Sequence, residues 1–112
     1  MGSLTDYLED ALLDHILLNT EFTVPTNIYI GLSTADPLDA GTGLAEPSGN
    51  GYARVLVNTW DAAASRATEN TSQIDFPTAT GTWGTITHWA LFDAITSGNM
   101  LAHGSFLSLI HI

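Results

Sequence analysis

The stretch that decides the fold is Trp83–Phe106, WGTITHWALFDAITSGNMLAHGSF. Residues 83–93 and 99–106 are two strand-like runs separated by AITSGN, with the turn-forming pair Gly98-Asn99 at its tip. Side chains alternate along an extended chain, so Ile86, His88, Ala90 and Phe92 share one face while Thr87, Trp89 and Leu91 share the other. Both faces are largely apolar, the pattern of a central strand covered on two sides. The same stretch holds His88, Asp93, His103 and Ser105, the residue types of a hydrolase.

Upstream the period of two persists. NIYIGLS (27–33) sets Ile28, Ile30 and Leu32 against Tyr29 and Ser33, a half-buried strand. GYARVLVNTW (51–60) alternates Tyr52, Arg54 and Leu56 with Ala53, Val55 and Val57, and QIDFP (73–77) reads as a short strand with Ile74 and Phe76 inward and Pro77 ending it. Residues 33–50, STADPLDAGTGLAEPSGN, form a long Gly-, Pro- and Asp-rich loop of the kind that serves as an interaction surface. Residues 61–72 are a polar connection.

The period changes at the N-terminus. SLTDYLEDALLDHILLN (3–19) carries the helical signal: Leu4, Leu8, Leu12 and Ile16 recur every four residues, with Ala11 and His15 widening the stripe. Leu13 and Leu17 add a second apolar edge, which predicts a helix covered on more than one side. Ser3 is the expected cap, with Asp6 three residues on, and Asn19 the expected stop. Asp6, Glu9 and Asp10 sit at the positive end of the helix dipole. The fold class is therefore mainly β with an N-terminal α-helix, a small antiparallel β-sandwich or barrel-like sheet.

Composition narrows the function. The chain has 112 residues, no cysteine, and a formal charge of -10 with two basic residues, Arg54 and Arg66. Disulfides and thiolate metal sites are excluded. A surface of that sign repels phosphate backbones and anionic lipid, which argues against nucleic-acid and membrane partners. No apolar run approaches the roughly 20 residues that cross a bilayer, and the acidic N-terminus is unlike a secretory signal, so synthesis and folding in the cytoplasm are expected.

The chemical candidates do not assemble from sequence. His88 and Asp93 differ by five positions on one strand, which points them to opposite faces and about 16 Å apart. Ser105 lacks a nucleophile elbow. His88 and His103 can pair across the hairpin, yet two imidazoles fall short of the three or four ligands zinc needs. Asp36, Asp39 and Glu46 lack the spacing of a calcium loop and read as solvated acids. Arg54 is expected to pair with Asp61 or Asp93. No catalytic, metal or cofactor residue is expected. Trp60, Trp83 and Trp89 remain as candidate surface or receptor contacts, because flat aromatic faces stack on sugars, although Trp is more often core.

Four blocks, PTNIYIGLSTADP, GLAEPSGNGYARV, IDFPTATGTWGTITHWALFDA and SGNMLAHG, taken in this order, resemble the small tail fibre proteins of bacteriophages and prophages. The resemblance spans residues 4–106 and includes the amphipathic opening LTDYLEDALLDHIL. It implies a β-rich virion structural protein, a tail fibre or tail-associated subunit without catalysis, that assembles with copies of itself and other virion proteins; a host surface glycan is the further partner to be considered. The alternative is a carbohydrate-binding module that uses the exposed tryptophans.

The chain departs from that family at its end. Family members continue for one or two strands after the hairpin, whereas here LSLIHI follows at 107–112. That peptide is what the codons CTG TCT CTT ATA CAC ATC specify, the mosaic-end sequence of transposon-based sequencing libraries. The expectation is a single domain over 1–106, truncated at its C-terminus, with a non-native tail at 107–112 in which His111 has no meaning. The strand at 99–106 would then lack a neighbour on its outer side.

Overall fold

The computed structural model describes residues 2–65, 68, 70, 71 and 74–111, and the side chains among these up to Phe106. Its elements are β1 (Gly2–Leu4), α1 (Asp6–Leu17), β2 (Tyr29–Ser33), β3 (Val55–Leu56), β4 (Thr85–Phe92) and β5 (Met100–His111). Among the described residues they form one antiparallel five-stranded sheet in the order β1-β5-β4-β2-β3, with a single N-terminal helix. The mainly-β class follows from the alternation read above.

The opening stretch forms the centre. β4 lies between β5 and β2, pairing Ala90 with both His103 and Gly31, and Leu91 with both Ala102 and Ile30. Ile86, Ala90 and Phe92 are buried, while His88, Trp89 and Leu91 are half-buried. Register shifts between Ile86 and His88 and between Leu91 and Phe92 interrupt the strict alternation. The turn is closed by Asp93, whose N–H donates to Asn99 O at 3.2 Å and whose Oδ1 accepts from Asn99 N–H at 2.8 Å. Ser97 and Gly98 both take positive φ there. A Cβ on Gly98 would stand 2.5 Å from Asp93 Oδ1, so the turn needs glycine twice over.

Three expectations change at the N-terminus. Residues 2–4 are a strand rather than the first helical turn, and they pair with residues 102–104 of β5. The outer edge of β5 is therefore occupied at those residues, not free. The cap is Thr5 rather than Ser3: its Oγ1 accepts from Leu8 N–H at 3.3 Å and donates to Met100 O at 2.6 Å. A residue that caps the helix and also satisfies a sheet carbonyl outcompetes one that only caps. Finally, α1 contains no buried residue. Leu8, Ala11 and Leu12 are half-buried, but Leu13, Ile16 and Leu17 are exposed, so the predicted second cover is not supplied by the described residues. The stop at Asn19 holds, with φ 57° and the next N–H, that of Thr20, donating to Asp14 O.

Further along, the alternation at 52–57 yields only the two-residue β3, paired with Tyr29 and Ile30. Residues 74–77 form no strand. Phe76 is held by side-chain packing instead, its ring stacked on Tyr52 at 6.5 Å. Leu32, Trp83 and Ile86 make the core, with Tyr52, Phe76, Ala79 and Phe106 against it. The expected boundary at residue 106 falls inside β5, whose pairing continues to His111 opposite Thr85.

The loop at 33–50 is not a loose surface segment. Gly43 N–H donates to Pro37 O, Thr34 N–H to Ala45 O, and Ser33 Oγ accepts from Ala45 N–H. Pro37 is buried. The loop packs as a knit unit against the sheet.

Candidate functional site

The fold sets His88 beside Ser105 but commits Asp93 and His103 to other contacts. His88 lies directly opposite Ser105 across β4 and β5, but its Nδ1 is 2.7 Å from Thr87 Oγ1. The Asp93 carboxylate is committed to the turn, accepting from Asn99 N–H and from Asn99 Nδ2 at 3.0 Å. His103 sits diagonally from His88 and belongs to a different cluster. Its Nε2 is 2.7 Å from Asp39 Oδ1, and its Nδ1 is 3.8 Å from Asp36 Oδ1. Ser3 Oγ donates to the same Asp39 oxygen at 2.9 Å. The hydrogen bond from His103, followed by that from Ser3, holds the Asp39 carboxyl below its usual range. This cluster ties β1, the loop and β5 together. Among the described residues, no three acidic, histidine or cysteine side chains are grouped to hold a metal ion.

The third acid of the loop works elsewhere. Glu46 accepts two hydrogen bonds from Arg54, Nε to Oε2 at 2.8 Å and Nη2 to Oε1 at 2.9 Å, and a third from Tyr52 Oη at 2.6 Å. Arg54 Nη1 donates to Ala94 O and Ser97 O, both at 2.9 Å, and the guanidinium lies 3.5 Å from the centre of the Phe92 ring. The expected partners Asp61 and Asp93 are thus replaced by Glu46. Burial pushes the Glu46 pKa up, but the hydrogen bonds from Arg54 and Tyr52 and the charge of Arg54 outweigh it, and the net shift is downward. Burial, then the Glu46 carboxylate, raises the Tyr52 hydroxyl. One signal in the sequence pointed here: Tyr52 and Arg54 share a strand face in an acidic chain, and both need one carboxylate. Which carboxylate is a long-range fact.

The tryptophans separate into two environments. Trp60 and Trp89 line one groove of 410 Å³ with Phe76, Phe106, Ile30 and Leu91. Trp60 Nε1 donates to Val57 O at 2.9 Å, which fixes one indole in place. Trp83 is only 4% exposed, meets Tyr52 edge-on at 5.3 Å, and donates from Nε1 to Asn50 O at 2.8 Å. Its expected place among surface contacts is corrected: the ring is a core member whose polar edge is satisfied by a loop carbonyl.

Residues 3–109 match the family described as Podophage GP4 fiber I protein gp80. The chain belongs to this phage fibre family. No curated protein matches it closely enough to count as a relative. Two surfaces of the chain stand out: the aromatic groove, and the outward side of α1 with Leu13, Ile16 and Leu17.

Proposed function

We propose that this member of the fibre family is a non-catalytic building subunit of the phage tail fibre, seated in the virion against other virion proteins and copies of itself. The observation that carries this reading is the bare helix α1, which has no buried residue. A chain that leaves a run of leucine and isoleucine uncovered is built to have neighbours. Two of the hydrolase-type residues support it from the other side: the Asp93 carboxylate holds the β4–β5 turn and His103 holds the loop at Asp39. The charge of -10 favours protein partners over nucleic acid or anionic lipid. The test is the composition of purified particles. The subunit should be present at a fixed number of copies per virion, and particles lacking it should keep their capsid and lose fibres.

A second reading is favoured by one observation, the convergence of Trp60 and Trp89 on a single groove. Paired indoles lining one groove suit the apolar face of a sugar ring. In that reading the fibre subunit also touches a host glycan. Glycan-array binding that disappears in Trp60→Ala and Trp89→Ala, and survives in the folded wild type, tests it. Wild-type silence on the array rejects it.

A further inference from the structure

The outward side of α1 has two halves of opposite character. Leu13 is 56%, Ile16 72% and Leu17 78% exposed, and the cap residue Leu18 and nearby Val24 are exposed as well. At 100° per residue, Asp6, Glu9 and Asp10 fall on the same face one or two turns earlier, and all three are exposed. Asp14 flanks the apolar end, and Glu21 follows it in the chain. Leu8, Ala11 and Leu12, on the other side of the helix, are half-buried, and the helix packs against β5.

This layout selects against a second copy as the occupant. Parallel pairing of two such helices sets carboxylates against carboxylates. Antiparallel pairing lays Asp6, Glu9 and Asp10 over the other copy's Leu13, Ile16 and Leu17, burying acids against hydrocarbon. The chain has no lysine to relieve either arrangement. One of its two arginines, Arg54, is already held by Glu46. Anionic lipid is disfavoured by the same acids.

We infer that α1 is the docking element of the subunit, and that its occupant is a different virion protein presenting a shallow apolar groove rimmed by lysine or arginine. Ile16 and Leu17 fill the groove, and Glu9 and Asp10 meet the basic rim. The inference rests on the fibre-subunit reading above and adds which surface attaches and to what chemistry.

The test uses the full chain and the other structural proteins of the same virion, each purified and titrated singly by biolayer interferometry at 50 mM and 500 mM salt. One of them should bind. Leu17→Asp should weaken that binding at least tenfold, while its thermal melt stays at the wild-type value because the side chain is exposed. Should Leu17→Asp melt early, Ile16→Ser with Leu17→Ser gives the same readout with less perturbation. Glu9→Lys with Asp10→Lys should slow association about tenfold at 50 mM salt and little at 500 mM, the behaviour of rim charges. Equal binding by wild type and all variants overturns the α1 assignment and leaves the fibre reading standing. A chain that self-associates in solution and becomes monomeric with Leu17→Asp overturns it in favour of a second copy. Sedimentation with phosphatidylserine vesicles lost in Leu17→Asp overturns it in favour of a membrane. No binding to any virion protein, with the chain absent from particles, removes the fibre reading and the inference together.

Discussion

Arg54 and Glu46 form a two-pronged ion pair, Nε–Oε2 at 2.8 Å and Nη2–Oε1 at 2.9 Å, with the arginine side chain 6% exposed. Through it the loop at 34–50 is fastened to the β4–β5 turn, because the same guanidinium holds the carbonyls of Ala94 and Ser97. Fork geometry and stacking on Phe92 make this a position lysine cannot fill.

Removing one partner of a buried pair strands the other, which costs about 3–5 kcal/mol. Arg54→Ala should therefore lower the urea midpoint by that amount of free energy. Arg54→Ala combined with Glu46→Gln should cost less than the two singles added together, since each single removes the same contacts. Additive losses would mean the pair contributes nothing as a pair.

The pair also sets an acid limit. The Glu46 carboxyl has a lowered pKa in the folded chain, against an ordinary value of 4.5. Between the folded and unfolded values the unfolded chain binds more protons, so stability falls as pH falls. The contribution is complete above pH 4.5 and is lost as pH drops through the folded value; Asp39, lowered by His103, acts in the same direction. Melting temperature measured across this range should decline toward acid, and Glu46→Gln should flatten the decline.

Gly43 tests the packing of the loop. A Cβ there would stand 2.1 Å from the carbonyl oxygen of Asp36, a backbone atom that cannot swing away. Gly43→Ala should destabilise by about 1–3 kcal/mol, the range for overpacking, and short insertions at 41–43 should do at least as much harm. A wild-type melt for Gly43→Ala would show the loop to be slack.

The tryptophans should divide by environment. Trp83→Ala opens the core and should cost about 3–5 kcal/mol, whereas Trp89→Ala, at a half-buried position on the groove, should cost clearly less. Urea unfolding of the two variants makes the comparison. An equal cost would place the groove inside the core.

The parts of this fold carried by periodicity were legible in the sequence. The β4–β5 hairpin, β2 and the body of α1 each repeat a local pattern, and their positions follow from it. What was hidden is long-range pairing. Gly2–Leu4 has no strand signature and becomes one only because β5 offers an edge. Thr5 caps in place of Ser3 because Met100 supplies a second partner for its hydroxyl. Glu46 and Asp39 read as solvated loop acids, and folding gives each a cation-capable partner, Arg54 and His103. The tryptophans show the same limit: all three read alike as candidate surface contacts, while the positive φ at Gly84 (86°) and the register shift after Ile86 separate a buried Trp83 from a Trp89 that lines a groove.

The most direct test of the central claim, that this chain is a structural fibre subunit, is immunogold labelling of intact purified phage particles with an antibody to the chain. Gold should lie on the tail fibres, at the same position from particle to particle, and be lost from particles in which the gene is deleted. Unlabelled particles, with the chain recovered only as free protein in the lysate, would contradict it.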